Sequence, residues 1–273
     1  MTSAAGVTIT RVAGTTYVAA AQPSADGVLL TATISPPPGS VARADPALRL
    51  SDYANALRFY LDLPGESLNR ILFVDNSGFN LDPLVEIARA ARHDKLVEFI
   101  SFPGNDHPSS YGKVYGEFRL MDFGLARSSL FTREDRIWKV TGRLRLLNFV
   151  DLVRSAPRDC DLLCDLHNVP LVGTGRLWKN TYMELRAFCC TIDAYDKVFK
   201  GCFEQLGPRL TAGYLYDRVM DSRGTLKVVP RFPIQPLFAG HSGRHDRPYD
   251  AGFQDIKTSI RAVLRRTAPW LWI

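Results

Sequence analysis

The stretch Arg70-Ile71-Leu72-Phe73-Val74-Asp75-Asn76 decides the fold that we predict for this chain of 273 residues. Its apolar run ends in two polar side chains, which is typical of a strand buried on both faces of a parallel sheet. Residues 28–34 and 96–100 form two more apolar runs, and apolar residues at helical spacing lie between the runs at 52–60 and 81–93. This alternation predicts βαβ units, and therefore an α/β fold with a mostly parallel central sheet flanked by helices.

The rest of the sequence predicts further strands and helices and does not divide the chain into separate domains. It contains no internal repeat and no clear linker, so we expect one domain over residues 1–273, with an N-terminal extension at 1–25 and a basic, aromatic C-terminal helix at 253–273. Asp52 is the expected cap of the first helix. The other predicted elements are a strand or two within 7–20, helices at 115–128 and 183–203, and strands at 136–143 and 161–166.

Composition excludes several classes of protein. Hydrophobic residues make up 46% of the chain and charged residues 23%, which is too apolar for intrinsic disorder and unlike a collagen or a coiled coil. The net charge of +6 is spread along the sequence. Such a charge suits nucleic acid, an anionic membrane surface or a small molecule that carries phosphate, so charge alone leaves all three open.

The cysteines and the N-terminus indicate the compartment. Five cysteines, two of them adjacent, lie in the middle of the chain, and we expect them to be free, buried thiols. The chain begins without a basic, apolar leader, and it has no run of about 18 uncharged apolar residues that would span a membrane. We therefore expect a cytoplasmic protein.

The fourth predicted strand ends in the clearest candidate for a ligand site. The sequence lacks the glycine-rich phosphate loops of nucleotidases and dehydrogenases, and it lacks the common hydrolase motifs. Lys139 and Arg143 instead flank Thr141-Gly142 at the end of this strand, where a parallel sheet binds its ligands. A guanidinium there can bind a diphosphate bidentately. The alternative is that both side chains lie on a solvated strand edge.

Three other segments carry weaker signals. Residues 112–117 place two glycines at a helix start that favours anions, although an ordinary helix start explains them as well. Residues 239–245 combine two glycines, a serine and two histidines, as in an anion-binding nest or a flexible surface loop. Residues 256–273 place basic side chains beside an aromatic tip, Trp270-Leu271-Trp272-Ile273. That segment fits either an interfacial helix or a helix docked on the core.

Taken in order, these segments resemble bacterial glycosyltransferases that build surface polysaccharides such as capsule, lipopolysaccharide and exopolysaccharide. The resemblance covers roughly residues 28–249, and it depends on the order and combination of short motifs. The motifs are Leu30-Thr31-Ala32-Thr33-Ile34-Ser35-Pro36, Arg49-Leu50-Ser51-Asp52-Tyr53, Asp75-Asn76-Ser77-Gly78, Gly112-Lys113, Gly116-Glu117, Trp138-Lys139-Val140-Thr141-Gly142-Arg143 and Gly240-His241-Ser242-Gly243.

The resemblance implies a GT-A-like fold with a nucleotide-sugar lying across the carboxyl ends of the strands. By this analogy, the base and ribose contact Thr31, Thr33, Pro36, Asp75, Asn76 and Ser77. The residues that surround the diphosphate are Lys113, Lys139, Thr141, Gly142, Arg143, Ser242 and Gly243. Many GT-A enzymes bind a divalent metal through Asp-x-Asp at the end of the fourth strand, where this chain has Lys-Val-Thr-Gly-Arg. Because fixed cations can neutralise a leaving diphosphate, we predict a metal-independent enzyme without a cofactor.

Glu117 is the first candidate for the base that deprotonates the acceptor hydroxyl, followed by Asp217 and His241. Asp217 is more simply interpreted as a helix-surface residue.

The leading hypothesis is transfer of a sugar to a saccharide acceptor that is lipid-linked, at the inner face of the cell membrane. Nucleotidyl or other phosphate-handling transfer and a non-catalytic assembly protein are the alternatives. Nucleic-acid binding rests on charge alone, and we expect no such partner.

Overall fold

The computed structural model describes residues 6–18, 26–169, 180–249, 253–268 and 272. Residues 1–5 and 19–25 of the predicted extension, and Trp270 of the predicted aromatic tip, lie outside these ranges. The strands are β1 (Thr8–Ala13), β2 (Asp26–Ala32), β3 (Leu68–Asp75), β4 (Leu96–Ser101), β5 (Arg136–Thr141), β6 (Arg145–Leu146), β7 (Leu162–Leu163), β8 (Leu166–Val169), β9 (Asn180–Met183), β10 (Ala187–Thr191), β11 (Val228–Val229) and β12 (Phe238–Ala239). The helices are α1 (Pro46–Leu61), α2 (Asp82–Ala90), α3 (Gly112–Arg127), α4 (Phe149–Ser155), α5 (Ile192–Val198), α6 (Cys202–Leu206), α7 (Ala212–Ser222) and α8 (Phe253–Thr267).

Eight strands form one sheet in the order β1-β4-β3-β2-β5-β10-β7-β11. The neighbours β4, β3, β2 and β5 are parallel, whereas β1 and β10 run in the opposite direction. The predicted α/β class with a mostly parallel, helix-flanked sheet is confirmed. Small two-stranded ladders, β12 with β6 and β8 with β9, lie beside the main sheet.

The central strands are buried on both faces because their side chains alternate between two apolar clusters. Val28 and Leu30 of β2 pack with α1 and α2 on one face, whereas Leu29 packs with α3 and α5 on the other. Ile71 and Leu72 of β3 divide in the same way. This two-sided burial explains why these strands are continuous apolar runs in the sequence.

Two local predictions were wrong. The cap of α1 is Asp45, whose carboxylate accepts from the backbone N–H of Ala47 at 2.7 Å, while Asp52 lies inside the helix. Residues 183–203 are not one helix but the end of β9, then β10, α5 and α6. The β10 segment pairs with β5 and with β7 and is buried on both faces, so strand pairing overrides its helical spacing.

All five cysteines are buried and free, as predicted. Part of the predicted N-terminal extension belongs to the sheet, because β1 pairs antiparallel with β4. In the ranges that the structure describes, no helix is long and apolar enough to cross a membrane.

The carboxyl ends of β2, β3, β4, β5 and β7 meet at one edge of the sheet, where β10 begins. We call this the carboxyl edge.

Candidate functional site

Asp75 fixes the loops that follow β2 and β3. Its carboxylate is fully buried and accepts from the backbone N–H groups of Ile34 at 2.8 Å, Ser77 at 2.9 Å and Phe79 at 3.2 Å. Burial raises the pKa of this carboxyl, and these hydrogen bonds oppose that effect. Since both oxygens are engaged inside the protein, the predicted contact of Asp75 with a ribose is wrong, and Asp75 acts on the loop geometry instead.

The same two loops are joined by further hydrogen bonds. The Thr33 hydroxyl donates to Oδ1 of Asn76 at 2.7 Å, and the backbone N–H of Ser35 donates to the Ser77 hydroxyl at 3.0 Å. Thr33, Ser77 and Pro36 are partly exposed, whereas Asn76 is buried. The structure therefore brings the predicted base and ribose residues together, with three of them open to a ligand.

Glu117 and Lys139 form a buried ion pair beneath the carboxyl edge. Nζ of Lys139 lies 2.5 Å from Oε1 of Glu117, which also accepts from the Thr31 hydroxyl at 2.6 Å. Nζ donates as well to the carbonyl of Leu185 and to the Thr141 hydroxyl. Lys139 is completely buried, and its three donors are all engaged, so its predicted contact with a diphosphate is wrong. Thr31 is buried too, and its hydroxyl faces Glu117 rather than a ribose.

The pKa values of this pair reflect opposing effects. Burial raises the pKa of Glu117, but the ion pair and hydrogen bonds with Lys139, the Thr31 hydroxyl and the charge of Arg143 outweigh it and lower the pKa. Burial lowers the pKa of Lys139, and Glu117 opposes this. A quarter of the Glu117 side chain is exposed, so this carboxylate can meet a ligand while Lys139 holds it from behind.

Gly142 allows β5 to end in close contact with β2. Its backbone N–H donates to the carbonyl of Thr31 at 2.8 Å, and a Cβ built on Gly142 would lie 2.8 Å from the same oxygen. A side chain here would force the two strand ends apart. The predicted importance of Gly142 therefore has a packing reason, which does not by itself involve phosphate.

Two arginines converge on Gly243, in the loop that follows β12. A Cβ at Gly243 would lie 3.1 Å from the Arg143 guanidinium and 3.2 Å from Nη1 of Arg49. Arg49 is buried and donates to the carbonyls of Thr33 at 2.7 Å and Arg43 at 3.1 Å. We call Arg49, Arg143 and Gly243 the guanidinium cradle.

Among the described residues, neither guanidinium of the cradle forms an ion pair, although the charge of Arg143 acts on Glu117. Nε of Arg143 donates to the carbonyl of His241 at 3.0 Å, and Nη2 of Arg49 donates to the Tyr53 hydroxyl at 3.1 Å. The sequence analysis predicted Arg143 at this site but did not predict Arg49. The sequence feature that could have indicated Arg49 is its position one helical turn before Tyr53, which places both side chains on the same face of α1.

The loop after β12 supports the cradle with its backbone. Gly240 has φ of +119°, and its missing Cβ lets the Arg143 carbonyl approach. His241 contributes its carbonyl to Arg143, and its ring is partly exposed. Ser242 is buried, and its hydroxyl accepts from the backbone N–H of His245 at 3.3 Å. The predicted glycine and serine segment thus lies at the carboxyl edge.

Two predicted site residues have no described contact with the cradle. Asp217 is exposed on α7, which packs against β9, and no hydrogen bond or ion pair among the described residues links it to the carboxyl edge. It is a helix-surface residue, and its role as a base stays a prediction that no contact among the described residues supports. Lys113 is exposed in the first turn of α3, likewise without a described contact to the cradle.

The carboxyl end of β7 carries a second cluster, in which a buried arginine is ion-paired. Arg265 of α8 donates from both terminal nitrogens to Asp165, each at 2.9 Å, with both side chains buried. His167 lies 3.7 Å from the same carboxylate and stacks on Tyr182. Burial lowers the pKa of His167 to about 4, although the charge of Asp165 opposes this. α8 is therefore docked on the core through Arg265.

Over the residues that can be described, no three His, Cys, Asp or Glu side chains form a group that could hold a metal ion. Asp159 and Asp161 each bond Lys227, and Cys160 and Cys164 are buried. Metal independence itself stays a prediction.

Comparisons with known proteins give structural likeness at low identity. No protein-family model matches the chain, and no curated sequence matches it. The 4-diphosphocytidyl-2C-methyl-D-erythritol synthase of Anaerococcus prevotii is 8% identical with a TM-score of 0.45, over 89% of this chain and 98% of that one. The inositol-1-phosphate CTP transferase of T. maritima is 12% identical with a TM-score of 0.45, over 88% and 97%. Mouse xyloside xylosyltransferase 1 is 12% identical with a TM-score of 0.39, over 72% and 79%.

Proposed function

We propose that this chain is a transferase that binds a nucleoside-diphosphate donor at the carboxyl edge, and that the transferred group is a sugar. The observation that carries the proposal is the guanidinium cradle, in which two arginines share one glycine without a described carboxylate partner. Holding two like charges together is unfavourable unless an anion lies between them. Arginine binds diphosphate oxygens bidentately, so a diphosphate is the ligand that best satisfies the cradle.

In the proposed reaction, an oxygen of the acceptor attacks the anomeric carbon of the donor sugar. The bond from this carbon to the β-phosphate oxygen breaks, and its electron pair leaves with the nucleoside diphosphate. The partly exposed Arg143 contacts the leaving group and stabilises the charge that develops on it, and the buried Arg49 adds its positive charge from behind. The free oxygen of Glu117 takes the proton of the acceptor hydroxyl, while Lys139 and Thr31 hold its other oxygen. The base and ribose contact Thr33, Pro36 and Ser77.

The cradle also bears on the need for a metal. Fixed guanidiniums can neutralise a departing diphosphate in the place of a divalent cation, so we infer that transfer proceeds without one. Turnover should be unchanged in EDTA. Loss of activity in EDTA, with recovery on adding Mn²⁺ or Mg²⁺, would contradict this part of the proposal.

Nucleotidyl transfer is the second candidate, because paired guanidiniums suit a triphosphate as well as a diphosphate. The T. maritima structure reported above is named as a CTP transferase. The two reactions differ in their products. Incubation with nucleotide-sugars and saccharide acceptors should release a nucleoside diphosphate. Release of pyrophosphate from a nucleoside triphosphate and a sugar phosphate would instead establish the second candidate. Arg143→Ala should abolish either activity, with the partly exposed Arg145→Ala as its matched control.

A lipid-linked acceptor at the inner face of the membrane would give the C-terminal helix a role. Ile260 and Val263 lie nearly one turn apart on α8, and their side chains are 54% and 59% exposed, with Arg266 also exposed. An apolar edge beside arginine suits an anionic bilayer surface. We therefore propose a cytoplasmic enzyme of polysaccharide synthesis that contacts this surface. The double variant Ile260→Glu/Val263→Glu should lose co-sedimentation with phosphatidylglycerol vesicles, and unchanged co-sedimentation would contradict the contact.

A further inference from the structure

A large groove lies on the side of α3 away from Glu117. Its volume is about 940 Å³, and it runs between the loop after β4, α3 and the start of α6. Its lining is rich in aromatic rings. The rings that line it are those of Phe102, His107, Tyr111, Tyr115, Phe123 and Phe203.

Toward the N-terminal end of α3, Tyr115 lies among three other rings of the groove, and its centroid is 4.9 Å from that of the tilted His107 ring. Tyr115 meets Tyr111 edge to face at 4.8 Å and Phe203 edge to face at 5.3 Å, with interplanar angles of 77° and 82°. At the other end, Phe102 stacks on Phe123 at 3.6 Å and Arg127 covers the Phe123 ring. Tyr111, Tyr115 and Phe203 are partly exposed where they line the groove, so part of each ring can contact a ligand.

Polar side chains around the groove are balanced in charge. Arg119 is paired with Asp106 at 2.5 Å, and Asp122 accepts from the backbone N–H of Gly201 at 2.7 Å. The remaining charged lining residues are Arg127, Lys200 and Glu204, so three cationic and three acidic side chains line the groove. Such a groove does not select a strongly charged ligand, in contrast to the cradle.

One wall of the groove is continuous with the loops proposed to hold the donor. The backbone N–H of Gly104 donates to the carbonyl of Asn76 at 2.8 Å, and that of Gly78 donates to the carbonyl of Phe102 at 3.0 Å. Pro103, which lines the groove, forms a β-bridge with Ser77. A molecule in the groove would therefore lie beside the donor loops.

We propose that this groove binds a neutral saccharide. Under the proposed function this saccharide is a part of the acceptor remote from the hydroxyl that Glu117 deprotonates, because the groove and Glu117 lie on different sides of α3. The apolar face of a pyranose packs on an aromatic ring, and its hydroxyls suit the mixed donors and acceptors that surround the rings. His107 lines the groove and is partly exposed there, so its ring can form a hydrogen bond with a sugar hydroxyl. Tyr115 supplies the central ring.

The test measures saccharide binding without any donor, by saturation-transfer NMR with a panel of neutral oligosaccharides. Wild-type protein should bind at least one member, and Tyr115→Leu should weaken that binding by about tenfold or more. Tyr17→Leu, which changes a partly buried tyrosine outside the groove, is the matched control and should bind as wild type. Tyr115→Leu should leave nucleoside-diphosphate binding unchanged.

The possible results distinguish failure of the groove proposal from failure of the proposed function. Saccharide binding that Tyr115→Leu weakens supports the groove even if no nucleotide binds, in which case the proposed function fails alone. If no oligosaccharide binds, or if Tyr115→Leu binds as tightly as Tyr17→Leu, the groove proposal is wrong while nucleotide binding still stands. Displacement of the saccharide by a nucleoside diphosphate at the same ring would also overturn it.

Discussion

Arg49 and Arg265 are both buried arginines at the carboxyl edge, and they differ in what neutralises them. Arg265 donates two hydrogen bonds to Asp165, so its charge is neutralised inside the protein. Arg49 contacts two carbonyls and a hydroxyl, and it lies beside a second arginine. Desolvating a charge without a counter-charge is costly, so an arginine that remains unneutralised indicates a place for an external anion. We therefore expect Arg265 to be structural and Arg49 to help bind an anion.

Removing Arg265 should have the largest effect on stability. Arg265→Met leaves the buried carboxylate of Asp165 without its partner, which should lower the free energy of unfolding by about 3–5 kcal/mol. Urea denaturation measures this loss. The double variant Asp165→Asn/Arg265→Met removes both charges and should recover most of it. A single variant within about 1 kcal/mol of wild type would mean that α8 is not held by this pair.

His167 should make stability depend on pH next to this pair. Its folded pKa of about 4 lies below its ordinary value of 6.5, so the unfolded chain takes up a proton first as the pH falls. Stability should therefore fall between pH 6.5 and 4, by at most about 3 kcal/mol from this group. His167→Phe keeps the stack on Tyr182 and should flatten this acid limb, whereas the exposed His245→Phe should not. Equal slopes in the two variants would contradict the assignment.

Removing Arg49 should have a smaller effect on stability and a clear effect on binding. Arg49→Gln loses three hydrogen bonds to neutral groups but also relieves its repulsion with Arg143, so the free energy of unfolding should fall by about 1–2 kcal/mol. Nucleoside-diphosphate affinity should fall about tenfold, as measured by calorimetry. Arg58→Gln, which changes an exposed arginine of the same helix, is the control. Unchanged nucleotide affinity in Arg49→Gln would mean that Arg49 is structural like Arg265.

The parts of the fold that depend on local patterns were predictable from the sequence. Continuous apolar runs predicted β2, β3 and β4 because burial on both faces leaves no room for polar alternation. The strand β10 was not predictable, because its pairing with β5 and β7 involves residues far along the chain and its own residues also fit helical spacing. The cap of α1 was predicted about two helical turns too late, at Asp52 instead of Asp45, since several polar residues precede this helix.

The candidate site was predictable in location and only partly in detail. The rule that ligands bind at the ends of parallel strands located the carboxyl edge and Arg143. Sequence alone did not reveal that Lys139 points under α3 to Glu117, because a basic residue on a strand is usually expected at the surface. Nor did it reveal Arg49 beside Gly243, since the two lie almost two hundred positions apart.

Titration of nucleoside phosphates onto the ligand-free protein tests the central claim most directly. With UDP, GDP, CMP and dTDP as the panel, at least one should raise the Tm of wild-type protein, with a stabilisation of about 2.7 kcal/mol at one hundred times its Kd. Arg143→Ala should lose this shift while keeping its ligand-free Tm near that of Arg145→Ala. A panel that leaves the wild-type Tm unchanged at millimolar concentration, or an Arg143→Ala variant that shifts like wild type, would contradict the guanidinium cradle as a diphosphate site.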